Sequence, residues 1–455
     1  MLAPVKFDRL AGAKPRDAWH AGAALLIGVG IAAAIQNPGF AMAALAAAGA
    51  AVALLAYPEV ALALYTVVGD IKGDDRLAAL LPFDLTLLLA AVLLAGIALN
   101  FLRGRTILPL PRVYFLFLIL LAAMVASLSY TPVFDAGVEK LLRFVSVTGI
   151  VIVAPFAALT TAGAFKRFMA AFGVAAFAIC GWALLALGGA ERLVTPSNNT
   201  IGLGHVACAL LFLMWFAVIP RYGFPWRIFT YALLVVPALA LIGSGSRGPA
   251  IACACVVVIS ALRRPALFFD LGLLALLGLL VLPFSGIPRA SLEYLGTLTN
   301  ASDPASLAAF RGDLWRYGGQ TIAQHPLMGV GLQGFRYTSP NPGVYNWPHN
   351  IFLELACELG IPVAALVLIL FASAVREAIR QLALRRSPCS LLSELSAALL
   401  LGGLINAINT GDINSDRSTW LFLSLVFVTK ALIGRTREKL PGADHAAHLA
   451  LAEPA

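Results

Sequence analysis

The chain has 455 residues, 60% of them hydrophobic and only 12% charged, with a formal net charge of +9 and a mean hydropathy of +0.88. A soluble domain holds about 45–50% apolar and about 25% charged residues, so this composition excludes a soluble globular enzyme. The positive charge is explained by basic loops on one side of a membrane, and no nucleic-acid motif accompanies it.

Apolar runs of roughly 17–25 residues, each long enough to cross ~30 Å of hydrocarbon, recur along the chain. The expected fold is an all-α, polytopic helical membrane protein of about 12–14 transmembrane helices. Residues 1–18 form a basic N-terminal segment with Lys6, Arg9, Lys14 and Arg16, too polar for a cleavable signal peptide and expected to be cytoplasmic. Residues 19–434 form the multispan region, beginning with a span near 19–36. The stretch 40–68 is interrupted by Tyr57-Pro58-Glu59 and reads as two short crossings or as a re-entrant segment. Later spans are expected near 82–102, 113–129, 140–161, 168–187, 203–219, 228–243, 248–262, 266–283, 349–372, 392–409 and 418–434. That register puts Arg103, Arg105, Lys166, Arg167, Arg263, Arg264, Arg376 and Arg435 on one side.

The opposite side receives one long loop, 285–348, in which Leu307, Phe310, Leu314 and Tyr317 repeat at helical spacing among Arg311, Asp313 and Arg316. An amphipathic helix, lying on the membrane or capping a cavity, is expected there. A glycine-rich turn follows from His325 to Phe335. Residues 435–455 read as a disordered cytoplasmic tail. The six cysteines show neither metal-ligand nor disulfide spacing and read as small packing residues.

Ionisable groups at membrane depth are functional hypotheses by default. His349, in Trp347-Pro348-His349-Asn350, stands where the long loop meets an apolar helix. Histidine titrates nearest neutrality and suits proton transfer; the plainer reading is a neighbour of a helix cap. Arg192 lies in a polar loop ending Ser197-Asn198-Asn199, and Arg247 in the turn Gly243-Ser244-Gly245-Ser246-Arg247-Gly248. Their planar donor forks suit phosphate oxygens, and together they could clamp a pyrophosphate; the alternative is anchoring to lipid headgroups. Lys140 and Arg143 share a helix face and either meet an anionic headgroup or pair with Glu139 or Asp135. Asn350, Glu354 and Glu358 share another face, and Glu354 is a proton relay or a member of a structural ion pair. Asp412, Asp416 and Arg417 form a local ion pair or a solvated loop. His205 reads as a core histidine and His325 as part of a turn.

The run Arg311-Gly312-Asp313-Leu314-Trp315, then His325-Pro326-Leu327-Met328-Gly329-Val330-Gly331, then His349-Asn350-Ile351-Phe352-Leu353-Glu354 and Glu358-Leu359-Gly360-Ile361, resembles the signature of the bacterial O-antigen ligase/polymerase superfamily. Ser246-Arg247-Gly248 and Arg192 are similar to the family's arginine positions. The resemblance implies a GT-C-like membrane glycosyltransferase of the bacterial inner membrane, with both termini cytoplasmic and the site periplasmic. Its donor would be a glycan on undecaprenyl pyrophosphate. Its acceptor would be a sugar of lipid A–core in a ligase, or a second lipid-linked glycan in a polymerase. It further implies that His349 is the base or the acceptor-orienting residue and that Arg192 and Arg247 bind pyrophosphate, with Arg311 in support. No metal or other cofactor is expected: the arginines supply positive charge, and Asp74-Asp75 is an isolated pair.

Only one external loop is long, and it lacks the arginine-to-glycine spacing found in O-antigen polymerases, which favours the ligase reading. A polymerase of O-antigen or exopolysaccharide units and a protein O-oligosaccharyltransferase are the alternatives within the class. A lipid-linked glycan transporter is the alternative outside it. Against the transporter, the sequence shows no internal repeat, and the candidate residues gather at one membrane face.

Overall fold

The computed structural model describes residues 49–73, 84–186, 191–218, 224–263, 267–296, 307–338, 347–383, 390–409 and 411–438, and all regular structure among them is helical. The expected span near 19–36, the Asp74-Asp75 pair and residues 439–455 lie outside the described residues.

Helices α1 (Gly49–Ala56) and α2 (Pro58–Val67, extended by a 3-10 turn to Asp70) are bent by 108° at Tyr57. Proline at the first position of α2 costs no hydrogen bond there, and Glu59 behind it is buried against Arg167 at 2.6 Å. Next come α3 (Leu85–Leu102), α4 (Phe115–Ser127), α5 (Phe134–Ala158) and α6 (Ala162–Leu185). They are followed by α7 (Thr200–Leu213), α8 (Phe224–Ser244), α9 (Arg247–Arg263) and α10 (Leu267–Val281). The long loop contributes α11 (Arg289–Gly296) and the expected amphipathic helix, α12 (Leu307–Gln324). The chain closes with α13 (Ile351–Leu359), α14 (Ile361–Ala383), α15 (Ser390–Asn409) and α16 (Arg417–Glu438).

Among the described residues, six helices are long and apolar enough to cross a membrane, namely α3, α5, α6, α14, α15 and α16, and the bent α1–α2 pair makes a seventh if it is one span. Among the same residues, the expected spans at 113–129, 203–219 and 266–283 correspond to apolar helices of 10–17 residues, and that at 228–243 lies within α8. α7 runs into a π-helical turn at Met214–Val218, and α8 carries an internal proline, Pro237. α5 starts earlier than the expected 140 and accommodates a π turn at Phe144–Thr148, so Lys140 lies inside the helix rather than at its mouth.

α16 is the central helix, with 72% of its apolar window buried, against 33% for α3 and α14. It packs on α15 and α5 through small and hydroxyl residues, the usual means of close approach between membrane helices. Thr419 Oγ1 donates to the Gly403 carbonyl at 3.0 Å, and the Ser396 and Thr429 hydroxyls meet at 3.0 Å. At roughly 1.5 Å per residue, Arg417 and Arg435 stand about 27 Å apart on α16. Arg105, Arg167 and Arg435 line one cavity at the Arg435 end, and the site lies at the Arg417 end.

The single helix expected over 349–372 is instead two helices. Gly360, at φ 86°, breaks it, and the glycine-rich turn is hydrogen-bonded onto the break. Val330 N donates to Cys357 O and Gly331 N to Glu358 O, each at 2.9 Å, and Ile361 N donates to Pro326 O at 2.8 Å. The first two satisfy carbonyls that the end of α13 would leave orphaned, and the third satisfies an N–H at the start of α14. A side chain at Gly360 would collide with the Leu327 carbonyl, and one at Gly329 with Glu358. The glycines of this motif are therefore scaffold.

Candidate active site

The turn between α8 and α9 holds the site's first arginine without using it as a free charge. Gly245 adopts φ 61°, and Arg192 reaches over it to donate from Nε and Nη2 to the Ser244 carbonyl at 2.8 and 2.5 Å. A Cβ at Gly245 would stand 3.0 Å from Arg192 Nε, and one at Gly243 would collide with Leu193. The glycines thus let the Arg192 loop lie directly on the turn. Ser246 Oγ donates to Thr200 O at 2.9 Å, tying the turn to the start of α7.

Arg192, Arg247 and Arg311 line one cavity of about 200 Å³ with Tyr294, Ser246, Thr200 and His349, and no acidic side chain is among its lining residues. The Tyr294 ring lies beneath both Arg192 (4.4 Å) and Arg247 (5.6 Å). Arg247 makes no hydrogen bond or ion pair with a described residue, and Arg311 Nε is buried without a partner. Burial holds all three guanidiniums below their usual range, with Tyr294 opposing this for Arg192 and Arg247; repulsion from Arg247 adds to the lowering of Arg192 and Arg311. They remain charged. A cluster of crowded cations with spare donors has the chemistry of a receptor for a multiply charged anion.

His349 sits at φ 55°, a left-handed conformation uncommon for residues other than glycine. Asn350 follows as the N-cap of α13, its Oδ1 accepting from Phe352 N (3.0 Å) and Leu353 N (3.1 Å). α12 steadies the segment from above, with Trp315 Nε1 donating to Pro348 O at 3.2 Å and Leu314 packed against Phe335 and Cys357. The amphipathic helix therefore caps the site and delivers Arg311 to it. Trp347 Nε1 donates to His349 Nδ1 at 3.2 Å. An indole can only donate, so Nδ1 is the acceptor, and the neutral ring carries its proton on Nε2.

His349 also borders a second cavity, of about 420 Å³, that shares only His349 and Ile201 with the first. Its walls include Asp70, His205, Asp412, Asp416 and Arg417. Sequence reasoning missed Asp70, Tyr294 and the place of His205. The visible signal for Asp70 was a lone acid ending a buried apolar helix after Gly69; Tyr294 offered none.

Other expected site residues take different places. Lys140 does not meet a headgroup and does not pair with its own helix. It is 7% exposed, and its ammonium bonds Glu354 (2.5 Å) and Glu358 (2.6 Å) from α13. Glu354 also accepts from Ile413 N at 3.0 Å, which makes it a structural ion-pair member joining α5, α13 and the loop before α16. Arg143 points away, paired with Glu139 on an exposed face. The loop with Asp412 and Asp416 is not solvated, since these residues are 7% and 2% exposed, and Asp416 forms no ion pair with Arg417. Asp412 instead accepts from Asn414 N and Ser415 N, while Asp416 accepts from Thr419 Oγ1 at 2.8 Å. Burial pushes the Asp416 carboxyl up to about 7.

Residues 232–368 match the family model described as O-antigen ligase. No curated protein matches the chain. The matched stretch contains the Arg247 turn, Tyr294, Arg311, His349 and the glycine-rich motif stitched to Gly360, while Arg192, Asp70 and Asp412 to Arg417 lie outside it. The stretch that carries Arg247, Arg311 and His349 is thus similar to the O-antigen ligase family.

Proposed function

We propose that the protein transfers a glycan from undecaprenyl pyrophosphate to a sugar hydroxyl of lipid A–core at the periplasmic face of the inner membrane. The observation that carries this reading is the acid-free cavity ringed by Arg192, Arg247 and Arg311 and bordered by His349. A pyrophosphate there would accept the donors that Arg247 and Arg311 leave unused. Charge grows on the pyrophosphate as its bond to the anomeric carbon breaks, and fixed guanidiniums stabilise that charge most where water is scarce. The acceptor oxygen forms the new bond to the anomeric carbon and loses its proton. In this account Nδ1 of His349, the basic nitrogen of the neutral ring, takes that proton when the acceptor hydroxyl displaces the Trp347 indole.

The test is purified His349→Ala, folded in membrane mimetic, given a polyprenyl-pyrophosphate glycan and lipid A–core. Transfer should fall by about 100-fold or more; retained transfer removes His349 from the chemistry. With the unaltered protein, a single glycan added to lipid A–core supports the ligase. A ladder built on lipid-linked glycan would make it a polymerase, and lipid movement without a new glycosidic bond would make it a transporter.

A further inference from the structure

We propose that the second cavity beside His349 is a binding site for a neutral sugar ring, the acceptor of the transfer, whose neighbouring hydroxyls are held by Asp70 and Arg417. The inference rests on the glycosyl-transfer reading for its role, but the recognition chemistry stands on this cavity alone. Asp70 ends the 3-10 turn after α2, and Arg417 opens α16. The Arg417 guanidinium lies against Gly69, where any side chain would collide with it. The two charges therefore stand close together, yet neither side chain makes a hydrogen bond or an ion pair with a described residue. A third group is unsatisfied as well: Asp416 is 2% exposed, and its Oδ2 has no hydrogen-bond partner.

The kind of ligand follows from the donors and acceptors left over. Asp70 needs hydrogen donors, Arg417 needs acceptors, and the Asp416 carboxyl, which titrates at about 7, can serve as either. A phosphate supplies only acceptors and would be repelled by Asp70 and Asp412. A metal ion finds no set of three or more carboxylate, thiol or imidazole ligands placed to hold it among the described residues. A sugar hydroxyl donates and accepts at once, so a vicinal diol can give a proton to Asp70 while receiving one from Arg417. Trp347, Phe172 and Phe422 add apolar lining for the C–H faces of a ring. At about 30 Å³ per water in the liquid, a cavity of 420 Å³ corresponds to roughly fourteen waters, which leaves room for a pyranose. The ring would lie beside His349, on the side away from the three arginines.

The experiment uses the full chain in lipid nanodiscs and two soluble probes, farnesyl diphosphate for the arginine cavity and lipid-free core oligosaccharide for the second. Asp70→Asn and Arg417→Gln should weaken oligosaccharide binding by about tenfold or more and leave diphosphate affinity within about twofold. Arg247→Gln should do the reverse. Gly202→Ala, whose methyl would strike the Asp70 carboxylate, gives the same loss by displacement and guards against a misfolded charge variant, as does a thermal melt matching the unaltered protein. The proposal is overturned if the unaltered protein does not bind the oligosaccharide, if the variants leave that binding unmoved, or if they weaken the diphosphate instead. If both probes bind as expected yet the complete lipid-linked donor yields no glycosidic bond, the transfer reading fails and the sugar site stands. If bonds form while Asp70→Asn and Arg417→Gln alter only donor affinity, the transfer reading stands and the sugar site fails.

Discussion

Arg192 turns two of its nitrogens onto the Ser244 carbonyl, whereas Arg247 keeps its donors free above the same tyrosine ring. Their substitutions should therefore differ in kind. Arg247→Gln removes a fixed donor aimed into the cavity and is expected to lower kcat by about 100- to 1000-fold with thermal stability unchanged. Arg192→Lys keeps the charge but loses the fork that grips the turn. It should lower the melting temperature as well as activity, and equal stability in the two variants would contradict this division. Asp416 gives a pH signature. Its carboxyl is held at about 7 in the fold, against an ordinary 3.8, with Asp412 adding to the effect of burial. The folded protein thus keeps a proton that the unfolded chain gives up at lower pH. Its contribution is complete below about 4 and is lost as pH rises to about 7. Melting temperature should fall across that window and level off above it, and Asp416→Asn should flatten the fall. Sequence could mark Arg192, Arg247 and His349 because each breaks a local rule of membrane composition. It could not mark Asp70, whose meaning comes from Arg417, far along the chain.

The break at Gly360 makes α13 a short helix suspended at both ends. Asn350 caps its start, and the glycine-rich turn completes its last carbonyls. Between them Lys140 reaches from α5 to both of its glutamates. Burying one ammonium between two carboxylates is weak evidence for stability, but removing it leaves two uncompensated acids. Lys140→Met is expected to destabilise the protein by about 3–5 kcal/mol. Adding Glu354→Gln and Glu358→Gln should restore much of the loss in denaturant or thermal unfolding; no recovery would mean that Lys140 acts through something other than charge. The sequence exposed the face shared by Glu354 and Glu358, because helical spacing is a local property. The partner on α5 could not be read from it, because helix periodicity says which residues share a face and not what that face meets.

For the whole chain, apolar runs and basic clusters made the helical membrane class legible, and they located most of the helices that the structure contains. Lengths were harder to read. Hydropathy counts residues, whereas Gly360 breaks what the count joins together over 349–372. Arg105, Arg167 and Arg435 gather at one end of α16, and the site lies at the other. The imidazole of His349 is one of only two side chains common to both cavities. If the leaving group is kept in one chamber and the attacking hydroxyl arrives through the other, a single displacement joins them, and it turns the anomeric carbon inside out. An α-linked donor should then yield a β-linked product, read directly from the anomeric proton coupling of the purified glycan. Retained configuration would require a covalent stop on the protein, and this arrangement of chambers provides no reason for one.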